Sequence, residues 1–321
     1  GIFTSRVSNV VADKNTISYT GSKVYLHHPS EPHGAITIYK GDNASVTNNT
    51  ISNITGHGIY LNGVGGTENY VNKNTITKVS KDGIRLKDLT SPSYRRATVQ
   101  SNVITDAGAN GIYSMNSDFI MIGGLLPVQG NRILRTGEQG IKVTDGNVNH
   151  LYRNVIDDAA QNGIYAQNTD GLLALNNTIR NLDNGAGIYV KNSTNAEANG
   201  NTIYTVVDGV TFDNVTGDDN DIYGNRIKDT SRDGVRVIDS GDVNVTKNRI
   251  SDNGKDAIYA NGFGGLLVNG NDIWNVGDDG IDVRNGDTVE IANNTIYNVG
   301  DDGIHVQDVN GGIIAYDFTT P

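Results

Sequence analysis

The chain has 321 residues, a formal net charge of −11 and no cysteine. Disulfides, thiolate nucleophiles and Cys-ligated metals are therefore excluded, and a nucleic-acid partner is disfavoured because its phosphates would be repelled. Gly numbers 40 against only 5 Pro, and 36% of residues are hydrophobic, so the core must be thin or repetitive.

In chain order, residues 1–35 read as an irregular first coil with a loop at 27–35 that carries His27, His28 and His33. Regular coils follow over 36–310, with insertions at 88–98 (including Arg95 and Arg96) and 117–130, and then a tail at 311–321. No apolar run approaches the ~20 residues that a membrane-spanning helix needs. The first residue falls part-way into a repeat, so flanking coils of a longer parent chain are expected as neighbours.

The repeat is marked by Asn-x-Ile, which recurs twelve times: at Asn15, Asn49, Asn74, Asn102, Asn131, Asn154, Asn177, Asn201, Asn225, Asn248, Asn271 and Asn294. From Asn131 onward the steps are 23 or 24 residues; the earlier ones are 34, 25, 28 and 29. A second marker runs in phase, Gly-apolar-x-apolar, as in Gly163-Ile164-Tyr165-Ala166 and Gly187-Ile188-Tyr189-Val190. A third precedes each Asn, as in Val243-Asn244-Val245. Both alternate apolar and polar residues, the period of a half-buried strand.

About 23 residues per repeat leave no room for a helix plus a strand, but suit three short strands and three turns. One coil buries nothing alone, whereas stacked coils bury a continuous apolar column. Chain chirality favours a right-handed crossover. The spacing thus predicts an all-β, single-stranded right-handed parallel β-helix of about 12 coils, a single domain over 1–321. The Asn column is read as scaffold, because Asn tolerates left-handed turns and its amides can form a ladder.

These coils resemble the parallel β-helix repeat superfamily, which includes pectin and alginate lyases, mannuronan C5-epimerases, polygalacturonases, phage tailspikes and bacterial adhesin passengers. The resemblance covers essentially the whole chain. It is specific for fold and weak for function. It implies an extracellular or bacterial cell-surface protein. Short matches to polygalacturonase motifs (Asn168-Thr169-Asp170, Gly217-Asp218-Asp219, Arg226-Ile227-Lys228) lack the intervening Gly-His-Gly, which stands far upstream at Gly56-His57-Gly58. Glu31-Pro32-His33 is a near match to an epimerase-type Asp-Pro-His. In so repetitive a sequence these fragments are attributed to composition.

Between the two inward apolar residues of the second marker, x must point outward. Read coil by coil, x runs Tyr60, Arg85, Tyr113, Lys142, Tyr165, Tyr189, Thr211, Arg236, Tyr259, Asp282 and His305, and two residues on the same face shows Gln167 and Lys191. Before the Gly stands an acidic column that includes Asp82, Asp208, Asp233, Asp256, Asp279 and Asp302.

Sugar rings have apolar faces and polar edges, and the family's substrate groove lies on such a strand face. Tyr60, Arg85, Tyr113, Gln167, Asp208, Asp233 and Tyr259 are therefore expected to contact a polysaccharide or cell-surface glycan. Lys and Arg would attract uronate carboxylates, although the same residues also suit an exposed strand.

Three readings stay open. Regular coils with few loops favour a non-catalytic adhesin, stalk or carbohydrate-binding segment. A lyase or C5-epimerase acting on an acidic glycan of the alginate or pectate class would draw its base, acid and carboxylate neutraliser from Lys142, Tyr165, Tyr189, Lys191 and Arg236. A phage tailspike fragment is the third. No metal site is assigned. Ca²⁺ remains a candidate ligand of the Asp278-Asp279 and Asp301-Asp302 turns.

Overall fold

The computed structural model of the chain describes residues 1–19, 33–90 and 97–314. Regular structure among these residues is β-strand throughout, apart from one 3-10 turn at Pro127–Gln129. The chain is a right-handed parallel β-solenoid of about twelve turns, as the repeat predicts. It divides into two compact units, Gly1–Ala160 and Gln161–Pro321. Both use the same coil, so the division does not follow a change of fold.

A representative coil of the second unit runs through strands Ala186–Thr194, Glu197–Asn199 and Thr202–Val206. Each pairs in parallel with its counterpart one repeat later: Ile188 opposite Val210, Ala198 opposite Ile222 and Ile203 opposite Ile227. Like therefore stacks on like. Ile179, Ile203, Ile250 and Ile273 are all fully buried, and each such side chain contributes about 1.5–3 kcal/mol. The first unit repeats this arrangement, with Ile76, Ile104, Ile133 and Ile156 as its buried column.

The two sequence markers meet in one packing contact. A Cβ added at Gly187 would stand 2.4 Å from Ile203 Cγ2 and 2.8 Å from the Gly209 carbonyl oxygen. The same closeness holds for Gly58 over Ile76 and Gly111 over Ile133, at 2.6 and 2.4 Å. The glycine of the second marker thus makes room for the isoleucine of Asn-x-Ile.

The asparagine column is a buried hydrogen-bond ladder. In the second unit Asn201 Nδ2 donates to Asn225 Oδ1 at 3.0 Å and to the Ala174 carbonyl at 2.9 Å. The Asn201 amide N–H donates to the same Asn225 oxygen at 2.9 Å. Asn74 and Asn102 in the first unit are joined identically. The turn explanation needs correcting. The left-handed residue is the one before the ladder Asn: Lys73 at φ 58°, Asn176 at 56° and Gly200 at 63°. The ladder position requires Asn for its amide, which at Asn201 satisfies two backbone groups, the Asn177 N–H and the Ala174 carbonyl, in a place closed to water.

The first coil is more regular than expected. Ile2–Ser5, Val10–Asp13 and Thr16–Ser18 pair in register with Gly34–Asp42, Ala44–Thr47 and Thr50–Ile54. His27, His28, Glu31, Pro32, Arg95, Arg96 and residues 315–321 lie outside the described residues. No helix among the described residues is long and apolar enough to cross a membrane.

Candidate functional site

The outer face of the Gly-apolar-x-apolar strands carries the predicted residues in two groups, one in each unit. In the first unit the x column is longer than the sequence marker showed. It runs Phe3, Thr37, Tyr60, Arg85, Tyr113, Lys142 in strict register. Pointing outward does not mean exposed: Tyr60 is 3% exposed, and Thr211 and Asp282 of the second unit are also buried. Tyr60 is covered because its ring lies 5.4 Å from that of His57 and its hydroxyl accepts a 2.7 Å bond from Asn62 Nδ2. Asp282 lies beneath Arg284, which holds it at 2.8 and 2.9 Å.

Tyr60, Arg85, Tyr113 and Lys142 converge on one cavity of about 370 Å³ together with His57, Lys81, Asp82, Asn110 and Glu138. That volume is in the range of small-ligand sites. The Arg85 guanidinium carbon stands 4.7 Å from the Tyr113 ring centroid and the Lys142 ammonium 5.0 Å. Arg85 reaches the ring from the coil before Tyr113 and Lys142 from the coil after it, so each cation–π contact ties one cation to this ring. The two contacts occupy Tyr113, whose ring therefore serves as a mount for cations rather than as an open stacking face. Arg85 Nη1 reaches Asp82 Oδ2 at 3.2 Å. The cavity holds three cations (Lys81, Arg85, Lys142) against two carboxylates (Asp82, Glu138), whereas the whole chain carries −11.

Beneath these cations lies a buried pair. His57 and Asp82 are both 2% exposed, and His57 Nδ1 stands 3.2 Å from both Asp82 Oδ2 and the Asp82 amide N. A neutral imidazole with a bare Nδ1 accepts from the amide; a protonated one donates to the carboxylate. Burial pushes the Asp82 carboxyl up, but the bond and charge of His57, with two bonds from Asn110, outweigh it and leave the group below its ordinary value. The sequence reading missed His57 as a site residue. The signal was its place directly before Gly58, the position that the acidic column occupies in other coils.

In the second unit Tyr165 and Tyr189 meet edge to face, with centroids 5.6 Å apart and planes at 72°. The Tyr165 hydroxyl donates to Gln167 Oε1 at 2.8 Å. The Tyr189 hydroxyl donates to Asp213 Oδ2 at 2.5 Å, and the Lys191 ammonium donates to the same oxygen at 2.9 Å. Burial first, then the Asp213 bond and charge, push the Tyr189 phenol up to about 12. Arg236 donates to Asp233 at 2.7 Å and lies over the Tyr259 ring at 4.8 Å. Arg232 binds Asp208 through both Nε, at 2.8 Å, and Nη2. Asp208 and Asp233 are buried and engaged by arginine. Burial pushes the Asp233 carboxyl up, and the Arg236 bond offsets only part of the rise. Of the expected base–acid set, Tyr165, Tyr189, Lys191 and Arg236 belong to this unit, and Lys142 belongs with Tyr113 in the first.

The acidic column does more than serve its turns. Asp208 Oδ1 accepts from the Asp233 amide at 3.2 Å, Asp256 Oδ1 from the Asp279 amide at 3.0 Å and Asp279 Oδ1 from the Asp302 amide at 2.8 Å. It is a second ladder, made of charged groups. Asp278, Asp279 and Asp301 bring carboxylate oxygens within 4.8 Å of one another, as do Asp279, Asp282 and the His305 imidazole. The first group offers the oxygen donors that Ca²⁺ takes. In the second group Arg284 already occupies Asp282.

No curated protein matches the chain by sequence. Among solved structures, the periplasmic alginate epimerase AlgG is 12% identical with a TM-score of 0.51, over 86% of this chain and 76% of that one. The A-module of the Azotobacter vinelandii mannuronan C-5 epimerase AlgE6 is 12% identical with a TM-score of 0.35, over 98% and 91%. PfbA, a surface adhesin of Streptococcus pneumoniae, is 13% identical with a TM-score of 0.36, over 92% and 84%. At these identities the AlgG likeness bears on fold alone, and the other two carry no argument. The model of the right handed beta helix region matches residues 1–124, 65–212, 123–273 and 186–317, which together span nearly the whole chain. In-register coils, the buried asparagine ladder and this match agree: the chain belongs to the right-handed β-helix family.

Proposed function

We propose that this protein is a secreted or surface-displayed β-helix that binds an acidic polysaccharide through the outer strand face of its first unit. The observation that supports this reading is the cavity of Lys81, Arg85 and Lys142, locally cationic on a chain of net charge −11. A uronate carboxylate suits the Arg85 guanidinium, which can meet it with two parallel bonds, while Lys81 and Lys142 add positive charge to the same cavity. The sugar's hydroxyls then lie toward Glu138. Such binding needs no chemistry and fits an adhesin, a stalk or a carbohydrate-binding segment.

A second reading is favoured by one specific feature, the His57–Asp82 pair beside Tyr60 in the same cavity. A lyase or C5-epimerase removes the proton α to a neutralised carboxylate and needs a base and an acid. His57 and Tyr60 are of the right type, with Arg85 or Lys142 as neutraliser. The second-unit group is less suited to this role, because Tyr189 and Lys191 are both held by Asp213.

Calorimetric titration with alginate, polygalacturonate and a neutral glucan tests the binding reading. It expects saturable binding of the uronans only, lost in Lys142→Ala, and equal or absent binding of all three would overturn it. Incubation with the same uronans, followed by ultraviolet absorbance for unsaturated ends and by NMR for inverted C5, separates the enzyme reading. Tyr165→Ala and Tyr189→Ala ask whether the second unit's face adds to binding.

A further inference from the structure

A second cavity, of about 420 Å³, lies on the same face of the first unit and shares Tyr60 with the first. Its walls are aromatic: Phe3, His33, Tyr39 and Tyr60, with Lys40 and Lys87 also among the lining residues. Phe3 meets His33 edge to face at 5.7 Å, and Lys40 lies 5.2 Å from the Tyr39 ring centroid. Neither the Phe3 nor the Tyr39 position was singled out by the repeat markers.

Register fixes how the two cavities are related. Phe3, Thr37, Tyr60 and Arg85 form one column, and Tyr39, Asn62 and Lys87 form the next, two residues further along the strands. The aromatic cavity draws on Phe3, Thr37 and Tyr60 of the first column, on the second column, and on Lys40, Gly63 and Asp88 beyond it, in the early coils. The cationic cavity draws on the first column and on residues before it (His57, Asp82, Asn110), in later coils. A line through both therefore crosses the strands obliquely and passes over Tyr60. Tyr60 lines both cavities, and its hydroxyl is fixed there by Asn62.

We propose that the two cavities are consecutive subsites for one anionic oligosaccharide, which lies diagonally across the coils over Tyr60. This rests on the acidic-glycan reading above and adds to it a ligand length and a path. The cationic cavity takes a uronate carboxylate among Lys81, Arg85 and Lys142. The aromatic cavity takes a sugar further along the same chain, its C–H face against Tyr39 or Phe3 and its carboxylate or sulfate on Lys40 or Lys87. A ligand too short to cross Tyr60 fills one subsite only.

The test is calorimetric titration with purified oligomannuronates from the dimer to the octamer, against the unaltered protein, Tyr39→Ala, Phe3→Ala and Lys142→Ala. Both aromatic residues stand on the outer face, and thermal unfolding of each variant verifies that the coils remain intact. The expected result is affinity that rises about tenfold or more once the oligomer spans both cavities. Tyr39→Ala or Phe3→Ala should abolish that rise and leave dimer binding unchanged, whereas Lys142→Ala should weaken every length. If affinity is independent of length, or the rise survives in both aromatic variants, the two-subsite inference is overturned and single-site binding stands. If no oligomannuronate of any length binds, the acidic-glycan reading falls and takes this inference with it.

Discussion

The Tyr189 hydroxyl donates to Asp213 Oδ2 at 2.5 Å, across one coil step, and Lys191 donates to the same oxygen at 2.9 Å. Tyr189 is thereby committed as a donor, and its phenol is pushed up to about 12 by burial and by the Asp213 bond and charge. A phenol held so high is a poor base near neutral pH. Asp213→Asn should bring the Tyr189 titration back toward its ordinary value of 10.0, followed by NMR of the labelled ring carbon bearing the hydroxyl. An unmoved titration would mean that burial alone sets it.

The acidic ladder carries a cost at neutral pH. Burial, opposed by the Asp279 amide bond and aided by the charges of Asp233, Asp282 and Asp278, raises the Asp256 carboxyl from 3.8 to about 6. In this window the folded state binds more protons than the unfolded state, so this group's contribution to stability falls as pH rises from about 4 to about 6. Allowing for solvent screening, the loss is about 1–2 kcal/mol. Asp256→Asn keeps an oxygen for the Asp279 amide and should therefore stabilise the protein at pH 7 but not at pH 4. Urea unfolding at the two pH values decides it, and equal shifts at both would count against the linkage.

The asparagine ladder should be intolerant of substitution. Asn201→Ala removes the acceptor for the Asn177 amide and side chain and the donor to the Ala174 carbonyl, all buried. Unsatisfied buried groups cost about 1–3 kcal/mol each, so a loss of at least ~3 kcal/mol is expected in chemical denaturation. Asn201→Asp, close in shape, should recover little of it, because a carboxylate has no N–H for Ala174.

The glycine marker should behave as a steric requirement. Gly187→Ala places a methyl 2.4 Å from Ile203 Cγ2 and 2.8 Å from a backbone oxygen, at a cost of about 1–3 kcal/mol. The double variant Gly187→Ala with Ile203→Leu moves the branch off the opposing β-carbon and so removes the Cγ2 methyl that clashes. It should recover part of that loss if the clash is with Ile203, and recovery of nothing would place the strain on the Gly209 carbonyl.

Much of the fold was legible because a solenoid writes its architecture locally. Each coil repeats the same inward residues, so a spacing of 23 or 24 between Asn-x-Ile units implies in-register parallel stacking. The outward stripe was legible too, since side chains alternate along a strand. Its chemistry was not. Tyr113, Asp208 and Asp233 read as glycan contacts, and periodicity did not show that Tyr113 carries Arg85 and Lys142 or that arginines hold the two aspartates.

The sequence by itself determined the coil, its register and which residues face outward, because those follow from periodicity and from the identity of stacked neighbours. Only the tertiary structure decided which outward residues share a cavity, which are covered and which are already paired. Those outcomes depend on side-chain contacts across coils some 25–30 residues apart, such as His57 with Asp82 and Arg85 with Tyr113. A one-dimensional repeat records that such contacts can occur, but not how the two side chains lean once they meet.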